Sequence, residues 1–200
     1  MSKKRDQLVE TALTLFSREG FHATGIDRVL EAAGVAKMTL YKHFRSKEEL
    51  ILAALRLRDE RWRNRFMRGV EKRAKDPRGR LLAMFDELAD WFADPGFSGC
   101  MFINASAEYA ELDCPIHAAC AEHKRLVEKY VRELAERAGA GQPGAGILAA
   151  QLCLLMEGAI VMTRVCPDDN RGCAAAAAKQ AAGLLIDHAL AGVPTDAASG

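Results

Sequence analysis

The sequence offers no strand signal, no secretion signal and no paired-cysteine motif. Alternating apolar and polar runs are absent across all 200 residues, which excludes half-buried strands and leaves a helical chain. The start MSKKRDQLVETAL has neither an apolar h-region nor a small-residue cleavage site, so no signal peptide is expected and the chain is read as cytoplasmic. Six cysteines, at 100, 114, 120, 153, 166 and 173, form no CxxC pair. In a reducing compartment they read as free thiols, mostly acting as small buried hydrophobes. No paired catalytic carboxylates, Ser/His/Asp set, glycine-rich phosphate loop or HExxH occurs, so the chain does not read as an enzyme. There is also no internal repeat.

Charge is present in near balance but unevenly placed. The net charge is only +1, yet residues 1–80 carry 20 Lys and Arg against 11 Asp and Glu, while the rest carry 8 against 16. A first part at +9 facing a second at −8 suits a basic module that meets a polyanion, joined to an acidic part with another task. The longest apolar run, AGILAAQLCLLMEGAIVMT at 145–163, approaches the length of a membrane span. It contains Gln151 and Glu157 and lacks basic flanks, so it reads as a core helix and no membrane is expected.

Helical punctuation is dense. Leu8, Ala12, Leu15 and Phe16 fall on one face of a first helix that stops at Gly20. Thr24 and Asp27 resemble a capping box opening a short second helix, which buries Ile26, Val29, Leu30 and Ala33 and closes at Gly34. A third helix is expected from about Lys37 to Phe44. Ser46 with Glu49 is a capping box in the strict sense, opening a long fourth helix that ends by Pro77. Further helices are expected over 79–93, 98–112, 115–138, 145–165 and 172–191, and the last residues read as a frayed tail. The fold class is all-α, with about nine helices.

Two short helices joined by a tight turn at Gly34, the second rich in exposed donors, form a helix-turn-helix. The second helix of such a unit enters the major groove and reads base edges from its N-terminal end. Lys37, Met38 and Thr39 lie at that end. Tyr41, Lys42 and His43 lie where phosphates run, and Lys47 opens the next helix, a natural phosphate site. Thr24 is included with this set.

Residues 3–58, above all GFHATGIDRVLEAAGVAKMTLYKHFRSKEEL, resemble the N-terminal domain of the TetR family of bacterial transcriptional regulators. Gly20, Thr24, Ile26, Ala33-Gly34-Val35, Thr39-Leu40-Tyr41, His43-Phe44 and Ser46-Lys47-Glu48 carry the likeness. The resemblance implies a helix-turn-helix DNA-binding domain over 1–47, extending to about 60 with the start of the linking helix. It further implies a helical effector-binding and dimerisation domain over 48–191, leaving a disordered tail at 192–200. The implied partners are a double-stranded palindromic DNA operator, a small-molecule effector and a second copy docked through the last two helices. The chain is then a regulator, most simply a repressor released by its effector. Two positions depart from the family pattern. Ala36 stands where a capping Ser or Thr is common, and Met38 stands where a small residue is common and could meet a thymine methyl.

For the effector, Trp91, Phe102, Asn104, Glu108, His117 and Met156 are the candidate lining residues, with Phe92, Phe97, Met101, Met162, Glu157 and Arg164 as further candidates. The same aromatic and methionine stripes are also what plain core produces. Cys114, His117, Cys120 and His123 follow one another at three-residue spacing, which spreads them around a helix rather than onto one ion, so no metal is expected. No cofactor is expected either. An alternative signal is thiol chemistry at Cys100, which follows Gly99 and could open a helix. The other alternative is a helical interaction protein that does not bind DNA, which suits the C-terminal half but not Lys37–Lys47.

Overall fold

The first helix, α1 (Lys3–Glu19), buries Leu8, Val9, Ala12, Leu13, Leu15 and Phe16 along one face, as the apolar spacing requires. It is the first of nine helices in a computed structural model that describes residues 3–166 and 173–191; these residues contain no strand. The frayed tail expected at 192–200 lies outside the described residues. Downstream come α2 (Ile26–Ala33), α3 (Lys37–Tyr41), α4 (Lys47–Arg73), α5 (Pro77–Ala93), α6 (Met101–Glu108), α7 (Pro115–Arg137), α8 (Gly144–Val165) and α9 (Cys173–Ala191).

The local signals explain most boundaries. Gly34 adopts φ 60 and ψ 38 after α2, a left-handed geometry that glycine reaches without a Cβ penalty. Its N–H donates to Glu31 O and that of Val35 donates to Leu30 O, both at 3.1 Å. This pair of bonds is a Schellman stop, which fixes the direction in which the chain leaves α2. Ser46 accepts from Glu49 N at 3.4 Å, while the Glu49 carboxylate reaches back to Arg45 N at 2.8 Å. The expected capping box at α4 therefore forms, with the return bond one residue early. Asp76 caps α5 by accepting from Gly79 N at 2.7 Å, and Pro77 takes the first helical position, where its missing N–H costs nothing.

Three expected boundaries are corrected. The helix expected over 98–112 spans only Met101–Glu108, because Cys100 is extended and Tyr109 leaves helical geometry. The N-cap of α2 is Gly25, without a side-chain cap, because the Thr24 hydroxyl donates to Gly20 O at 2.7 Å and is committed to the preceding turn. α3 is shorter than expected and ends at Tyr41, although Phe44 N still bonds Leu40 O at 2.9 Å. Ala36, with no hydroxyl, leaves its N-terminus without a side-chain cap.

The described residues divide into two compact units. One takes Met1–Arg63 with Cys100–Lys124, the other Asn64–Gly99 with Arg125–Gly200. In the first, α1 packs on α2 and α3 around Phe16, Phe21, Leu40, Leu50 and Leu55, all essentially without solvent contact. Phe16 and Phe21 stack at 5.3 Å. In the second, α9 packs against α8 and α5. Ala175, Ala178 and Ala182 on its buried face keep those helices close. Lys179 pairs with Asp86 at 2.6 Å and Arg78 with Asp187 at 2.6 Å, tying α9 to α5 at two points. α8 is the one helix among the described residues long and apolar enough to cross a membrane, and 39% of that apolar window is buried.

Candidate nucleic-acid interface

The α2–α3 pair is held by a hydrophobic underside and leaves a polar outer row. Val29, Leu30, Ala33, Val35 and Leu40 are buried, so α3 can show only its other side. Met38 is 72% exposed and Tyr41 50% exposed. With exposed Lys42 they sit three and four residues apart, on one helical face. Thr39, His43 and Lys47 are half-buried at its edges. Lys37 is exposed and bonds Asp27 at 3.2 Å, bridging α3 to α2. Lys47 donates to His22 O at 3.3 Å, which holds its ammonium beside the α1–α2 turn. Arg5 lies over the Phe44 ring at 5.2 Å, bringing a cation from α1 to the end of this helix pair. Thr24 departs from the expected set. Its side chain is fully buried, so it shapes the turn and has no surface to offer to DNA.

That turn is gripped from α6. Glu108 accepts from Phe21 N at 3.0 Å and from His22 N at 2.6 Å. The His22 ring bonds Glu108 O at 2.9 Å and stacks on Tyr109 at 4.8 Å. Ser17 donates to the Met101 sulfur at 3.4 Å. Both ends of α6 are therefore fastened to the segment that enters the helix-turn-helix. Glu108, expected to line an effector cavity, instead gives both its carboxylate oxygens to backbone donors of the turn.

Behind α6 lies a cavity of about 300 Å³ lined by Leu52, Leu55, Arg56, Asp59, Phe102, Pro115, Ala119, Glu122 and His123. Its polar centre was not anticipated. His123 Nδ1 meets Asp59 Oδ1 at 2.7 Å, and Arg63 clamps both oxygens of Asp59 at 2.7 Å each. The His123 ring lies flat on Phe102 at 3.7 Å and takes the edge of Trp62 at 5.6 Å. Burial pushes the imidazole down to about 4 against the upward pull of its bond to Asp59. Burial would raise Asp59, but the hydrogen bonds from Arg63 and His123 outweigh it and hold the carboxyl below its ordinary range.

The other effector candidates scatter. Phe102 does line this cavity. Asn104 is exposed, and His117 Nδ1 is bonded to Tyr109 O at 3.1 Å, so neither is among its lining residues. Trp91 and Met156 belong to the second unit. There Trp91 packs edge-on against Phe97 at 5.1 Å, and Met156 is buried in the face of α8. Cys114, His117, Cys120 and His123 do not converge, and no group of three or more potential ligands for a metal gathers among the described residues.

Comparison with known proteins decides the family. Residues 8–54 match the family model for bacterial regulatory proteins of the tetR family, and residues 77–179 match that for the tetracyclin repressor-like C-terminal domain. The chain belongs to the TetR family. A TetR-family transcriptional regulator from Streptomyces coelicolor superposes with a TM-score of 0.84 at 29% identity, over 94% of this chain and 96% of that one. The activator FasR of Mycolicibacterium smegmatis is 37% identical over 92 residues, 44% of this chain and 40% of its own length. The repressor NemR of Escherichia coli is 29% identical over 116 residues, 58% of each. The chain thus spans between two fifths and three fifths of the length of these two curated relatives. These relatives are transcriptional regulators, and the family is not one of enzymes.

Proposed function

We propose that this TetR-family member is a transcriptional repressor that grips a palindromic operator as a homodimer and lets go when a small molecule binds. The observation that carries the DNA reading is the outer row of α3, where Met38, Tyr41 and Lys42 stand exposed over a buried apolar underside. Lys37 and Thr39 join them as base-reading candidates. His43 and Lys47 are placed for phosphates. Met38, with neither charge nor hydrogen-bonding group, is suited to a thymine methyl. The protein acts in the cytoplasm, where its operator is.

A second copy is the partner that suits α8. Ile147, Leu154, Val161, Met162 and Val165 are exposed on it, at helical spacing along one stripe, and Gly158 between them allows close approach. Leu184 on α9 is 71% exposed. A stripe of that kind on two neighbouring helices matches an isologous contact.

Gating follows from α6. One helix carries Phe102 at the cavity and Glu108 at the turn, so a molecule that moves Phe102 bears directly on the helix-turn-helix. The effector must bind two arrangements of that helix unequally, since equal affinity would release nothing. A second reading uses Cys100, whose sulfur accepts from Lys124 Nζ at 3.4 Å; oxidation or alkylation would disturb that contact at the start of α6. Gel-shift with the DNA upstream of the protein's own gene tests the core reading. A retarded, footprinted palindrome supports it, and binding no tighter than to random DNA overturns it. Release by diamide, lost in Cys100→Ser, would assign the signal to the thiol.

A further inference from the structure

The cavity of the first unit has a chemistry that narrows its occupant, a deepening that rests on the effector reading above. Its volume is about 300 Å³, at the small end for ligand sites. An apolar cavity of about 150 Å³ already admits benzene, so one ring with a substituent fits. Leu52, Leu55, Phe102, Pro115 and Ala119 supply apolar wall.

The polar feature is specific. His123 is 5% exposed, and its Nδ1 faces a carboxylate that Arg63 holds in a bidentate clamp. Asp59 is therefore acceptor-only, and Nδ1 must carry the proton between them. Burial keeps the ring neutral near pH 7, so the second nitrogen, Nε2, presents a lone pair. No described residue bonds it. Nε2 is not among the sealed polar atoms without a partner in the described residues, so it keeps surface of its own, and a ligand that covers it must donate a hydrogen bond or leave it desolvated. Asp59 and Arg63 satisfy each other, Glu122 at the wall is itself engaged with another residue, and Arg56 at the rim is exposed, so solvent screens its charge. None of them therefore demands a charged ligand.

We propose that this cavity binds a small monocyclic phenol, its ring against Phe102 and the aliphatic wall and its hydroxyl donating to His123 Nε2. The hydroxyl is the determinant. An analogue of the same shape without the O–H leaves Nε2 unpaired and is rejected.

The test is calorimetric titration of the full-length protein with 4-methylphenol, 4-methylanisole and p-xylene. The expected result is 4-methylphenol binding at least about tenfold more tightly than either analogue, the range for one buried hydrogen bond. His123→Phe, checked for fold by circular dichroism, should abolish that preference. Ala119→Leu, which fills the wall and leaves His123 in place, should weaken all three. Equal affinities for phenol and ether in the unmodified protein would overturn the proposal, as would unchanged binding in Ala119→Leu. The same ligands added to operator complexes separate the two readings. Selective phenol binding without operator release supports this site and removes its gating role, whereas absence of binding removes the site and leaves DNA recognition by α3 intact.

Discussion

Glu108 and His22 hold each other in both directions: the carboxylate accepts the His22 backbone N–H at 2.6 Å, and the imidazole bonds the Glu108 carbonyl at 2.9 Å. The second carboxylate oxygen takes Phe21 N at 3.0 Å. Gly20 turns the chain beneath them at φ 89, and a Cβ there would lie 3.3 Å from Glu108 Oε1. The turn entering the helix-turn-helix is thus shaped around a side chain from α6.

Glu108→Ala leaves the Phe21 and His22 donors without this acceptor. The expected cost is about 1–3 kcal/mol of stability, read by urea denaturation. Operator affinity should fall further than the global stability loss accounts for, because the turn positions α2 and α3. Glu108→Gln, which keeps one acceptor, should recover part of both. Unchanged operator affinity in Glu108→Ala would disconnect α6 from DNA binding.

On DNA, Lys47→Ala should weaken operator and random sequence alike and flatten the salt slope by about one unit, as expected of a phosphate contact. Thr39→Ala should instead narrow the gap between operator and random DNA while leaving the salt slope in place. Titrations at several salt concentrations distinguish the two patterns, and a Lys47→Ala protein with an unaltered slope would exclude the phosphate role.

What could be read in advance follows interaction range. Ser46 with Glu49, Gly34, and the buried faces of α1 and α2 depend on residues a few positions apart, and they appear where local chemistry puts them. The exposed row of α3 that is proposed to meet DNA is legible for the same reason, since burying Leu40 and Phe44 dictates which side faces outward. Thr24 misled because a hydroxyl four residues beyond Gly20 can back-bond as readily as cap, and sequence does not say which. The centre of the cavity was hidden for another reason. Asp59 and His123 are 64 positions apart, and Glu108 is 87 from Phe21. Nothing in the spacing of α4 or α7 marks those pairs. A buried histidine opposite an Asp–Arg pair four apart on one helix was the available hint, and it becomes informative only once the helices are packed.

Assembly is tested at Leu154, which is 73% exposed on α8. Leu154→Lys puts a charge on the stripe proposed to meet a second copy without disturbing the protomer's own core. The expected outcome is a folded monomer by light scattering at micromolar concentration, with operator binding much weakened because both half-sites are no longer gripped together. Leu155 and Leu185 are only half-buried in the protomer, so charges there should cost stability as well. A Leu154→Lys protein that remained dimeric would move the interface elsewhere.

The last prediction concerns acid. His123 is neutral in the folded protein down to about pH 4, whereas in the unfolded chain it takes a proton near pH 6.5. Between those values the unfolded state binds more protons than the folded one, so stability falls as pH falls. Asp59 acts in the same sense lower down: its carboxyl is held below the ordinary range, and its contribution is lost as pH drops through the folded value. The histidine alone would account for a decline of order 3 kcal/mol from pH 6.5 to pH 4. His123→Phe removes the titrating group and should flatten that part of the stability profile while lowering stability at pH 7, because Asp59 loses a donor. Urea denaturation midpoints collected at half-unit intervals from pH 7 to pH 4 provide the measurement. A slope shared by the unmodified protein and His123→Phe would assign the acid sensitivity to other groups, and would leave the neutral imidazole required by the cavity without support.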